Sequence, residues 1–288
     1  MTRHEHISLT LPDGAHTKLT VFAPRHGADT HPVILFLPAL GAPRGYYEPF
    51  LQGLADEGYT VYSADLRGMG DHSVQGGPGT DYGYWDHLSI EVPALTAEVR
   101  RRHPRVPLFL GGHSLGGQLA LLHLALHPAD ARGLFLLAVS FPYYKTWPWG
   151  MRLLTLGFGA YVRLAGMVFG YSPGHWLGFG GKQSARMMAD WFHLIRTGQV
   201  KLSGCPHDLE AAMPRLTAPV LAISFHKDLY CPPSAVKFTL DKLSGAASRV
   251  LYHFLPAELN TPELGHFRWA RRPGTLPAFL AQWLRKHS

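Results

Sequence analysis

A glycine-rich segment near the middle of the chain has the residue types and spacing of a serine nucleophile. Residues 108–119 read LFLGGHSLGGQL, with a glycine two positions before Ser114 and another two positions after it. A serine that turns sharply from a strand into a helix has a strained backbone, and its neighbours two positions away must be very small. Such a turn exposes the hydroxyl and leaves the backbone N–H of Leu115 free to stabilise an oxyanion. The alternative is a glycine-rich turn with an ordinary helix-capping serine.

An acid and a base follow Ser114 in the chain order that this chemistry requires. Asp228 comes shortly after the apolar run at 220–224, and His266 precedes the last predicted helix. In a serine triad the histidine takes the hydroxyl proton, and the carboxylate holds the imidazole in the required tautomer. We therefore predict Ser114, His266 and Asp228 as nucleophile, base and acid, with a turn or helix-capping role as the alternative for Asp228. Two other carboxylates are weaker candidates for the acid: Glu258 and Glu263.

A second oxyanion donor is expected from the loop that follows the third predicted strand. This loop reads PALGAP over residues 38–43. We assign the donor to the backbone N–H of Leu40, so that the N–H groups of Leu40 and Leu115 form the oxyanion hole. A backbone N–H carries the role whatever its side chain, so a plain strand-to-helix loop is the alternative interpretation.

Strand signals alternate with helical stretches along the chain, which predicts a mostly parallel, eight-stranded α/β sheet flanked by helices. The first two strands alternate apolar and polar residues around the turn at 12–14, which predicts an antiparallel hairpin at a sheet edge. The predicted strands span residues 6–11, 17–22, 32–37, 59–63, 107–111, 133–138, 219–224 and 248–254. The predicted helices span residues 46–57, 84–102, 115–127, 234–243 and 275–286.

One stretch breaks this alternation, because residues 141–213 separate two strand signals by far more than a crossover needs. We expect a core domain of residues 1–140 and 214–288, with 141–213 inserted as a helical cap after the sixth strand. The insertion is rich in aromatic and leucine residues, which suits a cover over an apolar site. Its segment 151–170 approaches the length of a membrane span, but Arg152 and Arg163 interrupt it. We interpret it as a cap helix, through which peripheral contact with a membrane is a further possibility.

Composition limits the class of protein. The chain has 288 residues, of which 46% are hydrophobic, 12% aromatic and 16% charged, so most of it must be globular rather than disordered. The net charge of +7 is concentrated in the insertion and in residues 268–288, and it gives only a weak attraction to anionic partners. No zinc-finger or helix-turn-helix pattern is evident, so we expect no nucleic-acid partner.

Cofactor and metal motifs are missing from the sequence. Neither a dinucleotide-binding nor a phosphate-loop pattern occurs, and we expect no cofactor. His123 and His127 are spaced i, i+4 on a predicted helix, but without a visible third ligand they predict no metal site. Cys205 and Cys231 fit a reducing compartment, and their pairing stays open. The first residues lack a signal-peptide pattern, so we expect a cytoplasmic protein of unspecified oligomeric state.

The motifs around the predicted site resemble those of the α/β-hydrolase superfamily. Residues 65–73 (DLRGMGDHS) resemble the D-x-R-G-x-G-x-S loop and residues 112–117 (GHSLGG) the G-H-S-x-G-G elbow. Both are typical of the monoacylglycerol-lipase and serine-aminopeptidase-like branch. The resemblance covers essentially the whole chain and implies the α/β-hydrolase fold, the triad given above and an oxyanion loop at residues 39–40. Pro38 stands where many relatives carry the histidine of an H-G pair. Asp65 and Arg67 are expected to organise their loop through mutual hydrogen bonds.

Together these patterns predict a serine hydrolase of the esterase or lipase type. We expect it to cleave a carboxylic ester through an acyl-enzyme intermediate, and the apolar insertion favours a lipophilic small-molecule substrate. The same triad also serves thioesterases, amidases, aminopeptidases and acyltransferases, so an acyltransferase or thioesterase remains an alternative. A non-catalytic ligand-binding protein with the same fold is the second alternative.

Overall fold

The computed structural model describes residues 4–24 and 31–288, so residues 1–3 of the N-terminal stretch considered above lie outside the described residues. Its strands are β1 (Glu5–Thr10), β2 (His16–Phe22), β3 (Val33–Leu37), β4 (Thr60–Ala64), β5 (Leu108–His113), β6 (Gly133–Leu137), β7 (Tyr171–Pro173), β8 (Lys182–Ser184), β9 (Val220–Phe225) and β10 (Arg249–Phe254). Within the described residues, eight strands form one sheet in the order β1-β2-β4-β3-β5-β6-β9-β10, and β7 pairs with β8 alone. The β1–β2 and β2–β4 pairs are antiparallel, and the other pairs of the large sheet are parallel. The predicted edge hairpin and mostly parallel sheet are confirmed.

Helices flank this sheet. They are α1 (Glu48–Asp56), α2 (Tyr84–Asp86), α3 (Val92–Arg102), α4 (Leu115–Leu126), α5 (Trp149–Phe169), α6 (Ala185–Thr197), α7 (Leu209–Ala212), α8 (Pro233–Asp241), α9 (Arg268–Arg271) and α10 (Leu276–His287). Short 3₁₀ turns occur at Arg44–Tyr47, Tyr144–Thr146, Gly174–Leu177, Met213–Arg215 and Pro256–Leu259. The predicted helix at 84–102 is interrupted by a π-helical turn, His87–Glu91. Pro93 follows this turn and has no N–H with which to continue α-helical hydrogen bonding.

The central strands are apolar because neither of their faces meets water. Every residue of β3, β5, β6 and β9 is buried, as expected for parallel strands covered on both faces. Helix α4 follows β5 directly and is buried at every position from 115 to 124. A helix that is hydrophobic all round belongs in a core, and α4 therefore gives the turn before it a rigid support.

Residues 141–213 lie between β6 and β9 and contain α5, α6 and the β7–β8 hairpin. Glycines allow α5 and α6 to approach closely, since Gly159 lies against Phe192 and Ile195, and Gly166 lies against Ala185. Among the described residues, α5 is the one helix long and apolar enough to cross a membrane, judged by length and composition alone. Of its most apolar 18-residue segment, 22% is buried. We call residues 141–213 the insertion. Its role as a cap remains a prediction.

Candidate active site

Ser114 lies in the tight turn between β5 and α4. Its backbone has φ of 49° and ψ of −116°, a conformation that costs free energy for any residue other than glycine. A Cβ on Gly112 would overlap the backbone where α4 begins, and a Cβ on Gly116 would overlap the backbone of Leu37 and Pro38. The two glycines therefore let the strand, the helix and the loop after β3 meet around one serine.

Asp228 and His266 lie next to each other although 38 residues separate them in the chain. The Nδ1 atom of His266 is 2.9 Å from Oδ2 of Asp228 and 3.1 Å from Oδ1. Oδ1 also accepts the backbone N–H groups of Tyr230 and Cys231, each at 2.9 Å. Three donors thus fix the orientation of a buried carboxylate. An ionised carboxylate only accepts hydrogen bonds, so Nδ1 of His266 carries the proton and Nε2 is left to accept one.

A cavity of about 320 Å³ has both Ser114 and His266 in its wall. Most of its wall is apolar, and the insertion contributes Trp147, Met151, Leu154, Phe158, Phe179 and Trp191. In the part of the chain that the structure describes, Ser114 Oγ makes no direct hydrogen bond to His266. The structure therefore brings the predicted nucleophile and base to one cavity, and brings the base and acid into hydrogen-bond contact.

The two residues whose backbone amides are assigned to the oxyanion hole also border this cavity. Leu40 and Leu115 both line it. Among residues 4–24 and 31–288, neither N–H has a hydrogen-bond acceptor in the protein, whereas the preceding amide of Ala39 donates to Tyr47 Oη at 3.1 Å. A backbone N–H without an acceptor inside the protein is available to a ligand oxygen, which is a property that an oxyanion donor needs.

Two buried residues that the sequence does not single out as site residues contact the predicted triad and oxyanion loop from the protein core. They are Tyr47 and His113. The hydroxyl of Tyr47 is 2.7 Å from Nδ1 of His113, and the ring of His113 lies 4.6 Å from the ring of His266, centroid to centroid. Burial and the neighbouring His266 lower the pKa of His113 well below its ordinary value. The one available signal was the position of His113 directly before Ser114.

The loop that includes Asp65 and Arg67 is organised differently from the prediction. Among the described residues these two side chains make no mutual hydrogen bond. Asp65 instead accepts the backbone N–H groups of Arg44 at 2.6 Å and Asp71 at 2.9 Å. The guanidinium of Arg67 instead bonds two other carboxylates, with Nε 3.1 Å from Oε2 of the buried Glu91 and a terminal nitrogen 2.6 Å from Oδ2 of Asp13.

The histidine pair on α4 and the two cysteines have ordinary environments. His123 Nε2 lies 2.9 Å from a carboxylate oxygen of Asp130, and the His123 and His127 rings are 4.9 Å apart. Over residues 4–24 and 31–288, no group of three or more His, Cys, Asp or Glu side chains is placed to hold a metal ion. Cys205 and Cys231 are free thiols, and burial raises the pKa of Cys231 well above its ordinary value.

Comparison with known proteins identifies the family. Residues 28–172, half of the chain, match the family model described as "Serine aminopeptidase, S33". The chain belongs to this family of α/β-hydrolases. A protein of Schizosaccharomyces pombe named "Putative monoglyceride lipase" is 37% identical to this family member over 89 residues, which are 31% of the chain and 23% of that protein. The match thus spans less than a quarter of the relative's length.

Solved structures share the α/β-hydrolase fold of this family member. An esterase from Exiguobacterium antarcticum has a TM-score of 0.64 at 19% identity, covering 98% of this chain and 100% of the other. A monoacylglycerol lipase from Paleococcus ferrophilus has a TM-score of 0.60 at 17% identity, covering 94% and 98%. A bacterial membrane phospholipase A has a TM-score of 0.64 at 19% identity, covering 98% and 86%. At these identities the likeness shows the fold alone.

Proposed function

We propose that this protein is a serine hydrolase that cleaves a lipophilic carboxylic ester through an acyl-enzyme intermediate. The observation that carries the proposal is the hydrogen-bonded Asp228–His266 pair at the same apolar cavity as the strained Ser114. A strained serine, an oriented histidine and a buried carboxylate are the parts of a nucleophilic triad. Membership in a lipase- and esterase-like hydrolase family agrees with this chemistry.

In this mechanism Ser114 Oγ attacks the ester carbonyl and His266 Nε2 takes the hydroxyl proton. Asp228 stabilises the resulting imidazolium through Nδ1. The negative charge that develops on the carbonyl oxygen is bound by the N–H groups of Leu40 and Leu115. When the bond to the leaving alcohol breaks, His266 returns the proton to that oxygen. Water then repeats the sequence on the acyl-enzyme, releasing the acid and restoring the Ser114 hydroxyl.

The lining of the cavity supports a lipophilic acyl group. Apolar walls bind apolar ligand surface, whereas a charged peptide would leave its charges without partners. We propose that the insertion acts as the cap of this site, since eight of its apolar side chains border the cavity. Esters of graded acyl chain length test the substrate class. Turnover should peak at a medium or long chain and vanish in Ser114→Ala, and a peak at acetyl with no activity beyond butyryl would contradict the lipophilic assignment.

We also propose that the outer face of α5 contacts a lipid surface. None of the exposed residues of α5 is charged, and the exposed fractions are 83% for Trp149, 79% for Leu153 and 65% for Met167. Residues 141–189 contain five Lys or Arg and no Asp or Glu, which suits anionic headgroups. An apolar helix face beside basic residues is typical of interfacial helices.

Vesicle flotation tests this contact. The wild-type protein should bind phosphatidylcholine vesicles more strongly when they contain phosphatidylglycerol. Leu153→Glu and Leu164→Glu should weaken this binding about tenfold, because each places a carboxylate on the exposed face that would enter the lipid. Val250→Glu, at an exposed apolar position of β10, is the matched control and should bind as the wild type does. Equal binding by all variants would contradict the proposed contact.

A further inference from the structure

The oxyanion loop, residues 38–42, is held on its inner side by the core. Ala39 donates its N–H to the buried Tyr47 hydroxyl at 3.1 Å, and Ala42 donates to the carbonyl of Ala39 at 3.1 Å. Gly116 lies directly against the backbone at the start of the loop. These contacts fix where the loop begins, but they do not cover the outer side of Leu40 and Gly41.

The outer side of the loop meets the insertion. A Cβ placed on Gly41 would overlap the backbone of Gly180, at 2.7 Å from its Cα and its carbonyl oxygen. A Cβ placed on Gly180 would lie 3.0 Å from Cδ2 of Leu40. Both glycines have a positive φ, 70° for Gly41 and 63° for Gly180. The two loops therefore touch backbone to backbone, at a distance that only glycine permits.

The Gly180 segment is itself anchored to the core. Gln183 Nε2 donates to the carbonyl of Gly180 at 2.6 Å, and Gln183 Oε1 accepts the Tyr82 hydroxyl at 2.9 Å. The N–H of Tyr82 donates to Ser184 Oγ at 3.2 Å. Tyr82, Gln183 and Ser184 are all buried. Buried hydrogen bonds, which water does not weaken, thus attach the insertion to the core. They also fix the backbone of Gly180 next to the oxyanion loop.

We propose that Gly180 of the insertion is a positioning residue that holds the Leu40 amide in the oxyanion hole, so that this hole is complete only when the insertion is seated on the core. The inference rests on the proposed hydrolase function. Its physical basis is that an oxyanion donor works only when it is aimed at the place where charge develops, and a small displacement removes much of the stabilisation. The Ala39–Leu40 peptide that carries this N–H lies between two fixed points, the Ala39 bond to Tyr47 and the contact of Gly41 with Gly180.

The test compares alanine substitutions at glycines that share a positive φ but differ in what the new methyl group meets. Gly180→Ala directs a methyl group at Leu40, whereas Gly178→Ala, at φ 65°, has no atom within 4 Å of its Cβ. Gly41→Ala directs a methyl group at the Gly180 backbone, and Gly14→Ala, at φ 83°, again meets nothing within 4 Å. Gly178→Ala and Gly14→Ala are therefore the matched controls. Each variant used must show a cooperative thermal unfolding transition, which establishes that it is folded.

The readouts are kcat, KM and the affinity of a trifluoromethyl ketone, which forms a tetrahedral adduct bearing an oxyanion. We expect Gly41→Ala to lower kcat about tenfold and to weaken binding of the ketone by the same factor, with KM nearly unchanged. Gly180→Ala should act in the same direction but less strongly, because its methyl group meets the Leu40 side chain rather than backbone. The two controls should keep the wild-type values. If Gly180→Ala matches Gly178→Ala in every readout, the positioning role is wrong. If the wild type neither hydrolyses esters nor binds the ketone, the proposed function fails and the inference with it.

Discussion

The hydroxyl of Tyr47 lies 2.7 Å from Nδ1 of His113 and also accepts the N–H of Ala39 at 3.1 Å. The hydroxyl therefore hydrogen-bonds both the backbone of Ala39 and the ring of His113. The His113 ring lies 4.6 Å from that of His266. One buried hydroxyl therefore supports both the oxyanion loop and the residue beneath the proposed base.

Removing this hydroxyl should reduce catalysis beyond its effect on stability. Tyr47→Phe keeps the ring but leaves the Ala39 N–H and His113 Nδ1 without a partner. We expect about 1–3 kcal/mol lower free energy of unfolding, and kcat lowered by about tenfold or more. Tyr59→Phe is the matched control, because Tyr59 is also buried and its hydroxyl donates to the carbonyl of Ala281. Its unfolding free energy should fall by a similar amount, but its kcat should not change. Equal kcat in both variants would contradict the role given to Tyr47.

The spacing of the glycines around Ser114 gives a second prediction. Gly116→Ala directs a methyl group into the backbone of Leu37 and Pro38, so the turn or the oxyanion loop must shift. We expect a loss of about 1–3 kcal/mol in the free energy of unfolding, as for other overpacked sites, together with loss of ester turnover. Gly157→Ala, in α5 with no atom within 4 Å of its Cβ, should leave turnover intact and raise helix stability by about 0.5–1 kcal/mol. Chemical denaturation and initial rates measure both. Full activity in Gly116→Ala would refute this account of the turn.

Asp228 is tested by a substitution that keeps its shape. Asp228→Asn can still accept the two backbone N–H groups through its amide oxygen, but it cannot hold His266 in the required tautomer as a carboxylate does. We expect kcat to fall by roughly 10³–10⁴ with the fold intact. Asp208→Asn, at a helix N-cap whose side chain accepts the N–H of Ala211, should have no effect on kcat. If Asp228→Asn stays active while Glu258→Gln or Glu263→Gln does not, the acid has been assigned wrongly.

The lowered pKa of Glu91 predicts how the free energy of unfolding depends on pH. Burial would raise its pKa, but His87 and His72 outweigh burial through charge and hydrogen bonding and hold the pKa well below its usual range. Because the folded-state pKa is the lower one, this stabilisation is complete above the unfolded-state pKa of about 4.3 and is lost as pH falls below it. Glu91→Gln should therefore cost about 3–5 kcal/mol at neutral pH and flatten the acid side of the stability profile. Glu98→Gln, nearer the surface of the same helical stretch, should cost less than about 1 kcal/mol. A neutral-pH loss no larger than that of Glu98→Gln would contradict the prediction.

Local patterns were sufficient to predict the fold and to select three residues, Ser114, Asp228 and His266, that the structure brings to one site. Two strand patterns located each strand of the large sheet to within two residues at either end. The central strands, buried on both faces, read as apolar runs, and the first two strands alternate apolar and polar residues. The positions of Gly112 and Gly116 identified Ser114 as the candidate nucleophile, because the turn permits no larger side chain at either glycine. Asp228 and His266 could be picked from many carboxylates and histidines because chain order and loop position restrict the choice.

Contacts between distant segments could not be predicted in this way. No spacing rule connects Tyr47 with His113 or Gly41 with Gly180, since each pair is formed by the folding of separate loops. The β7–β8 hairpin and α6 were also missed, because the insertion's aromatic residues follow no strand alternation that distinguishes them. Asp65 and Arg67 were wrongly paired because proximity in sequence suggested a mutual bond, whereas Arg67 pairs with Glu91, which is 24 residues away.

The central claim is that Ser114 is an activated nucleophile, and covalent labelling tests it most directly. The folded wild-type protein should react with a fluorophosphonate probe at one site, and peptide mass analysis should place the label on Ser114. Labelling should be absent in Ser114→Ala and strongly slowed in His266→Ala, because the hydroxyl then lacks its base. A folded wild-type protein that stays unlabelled, or that carries the label on another residue, would contradict the account.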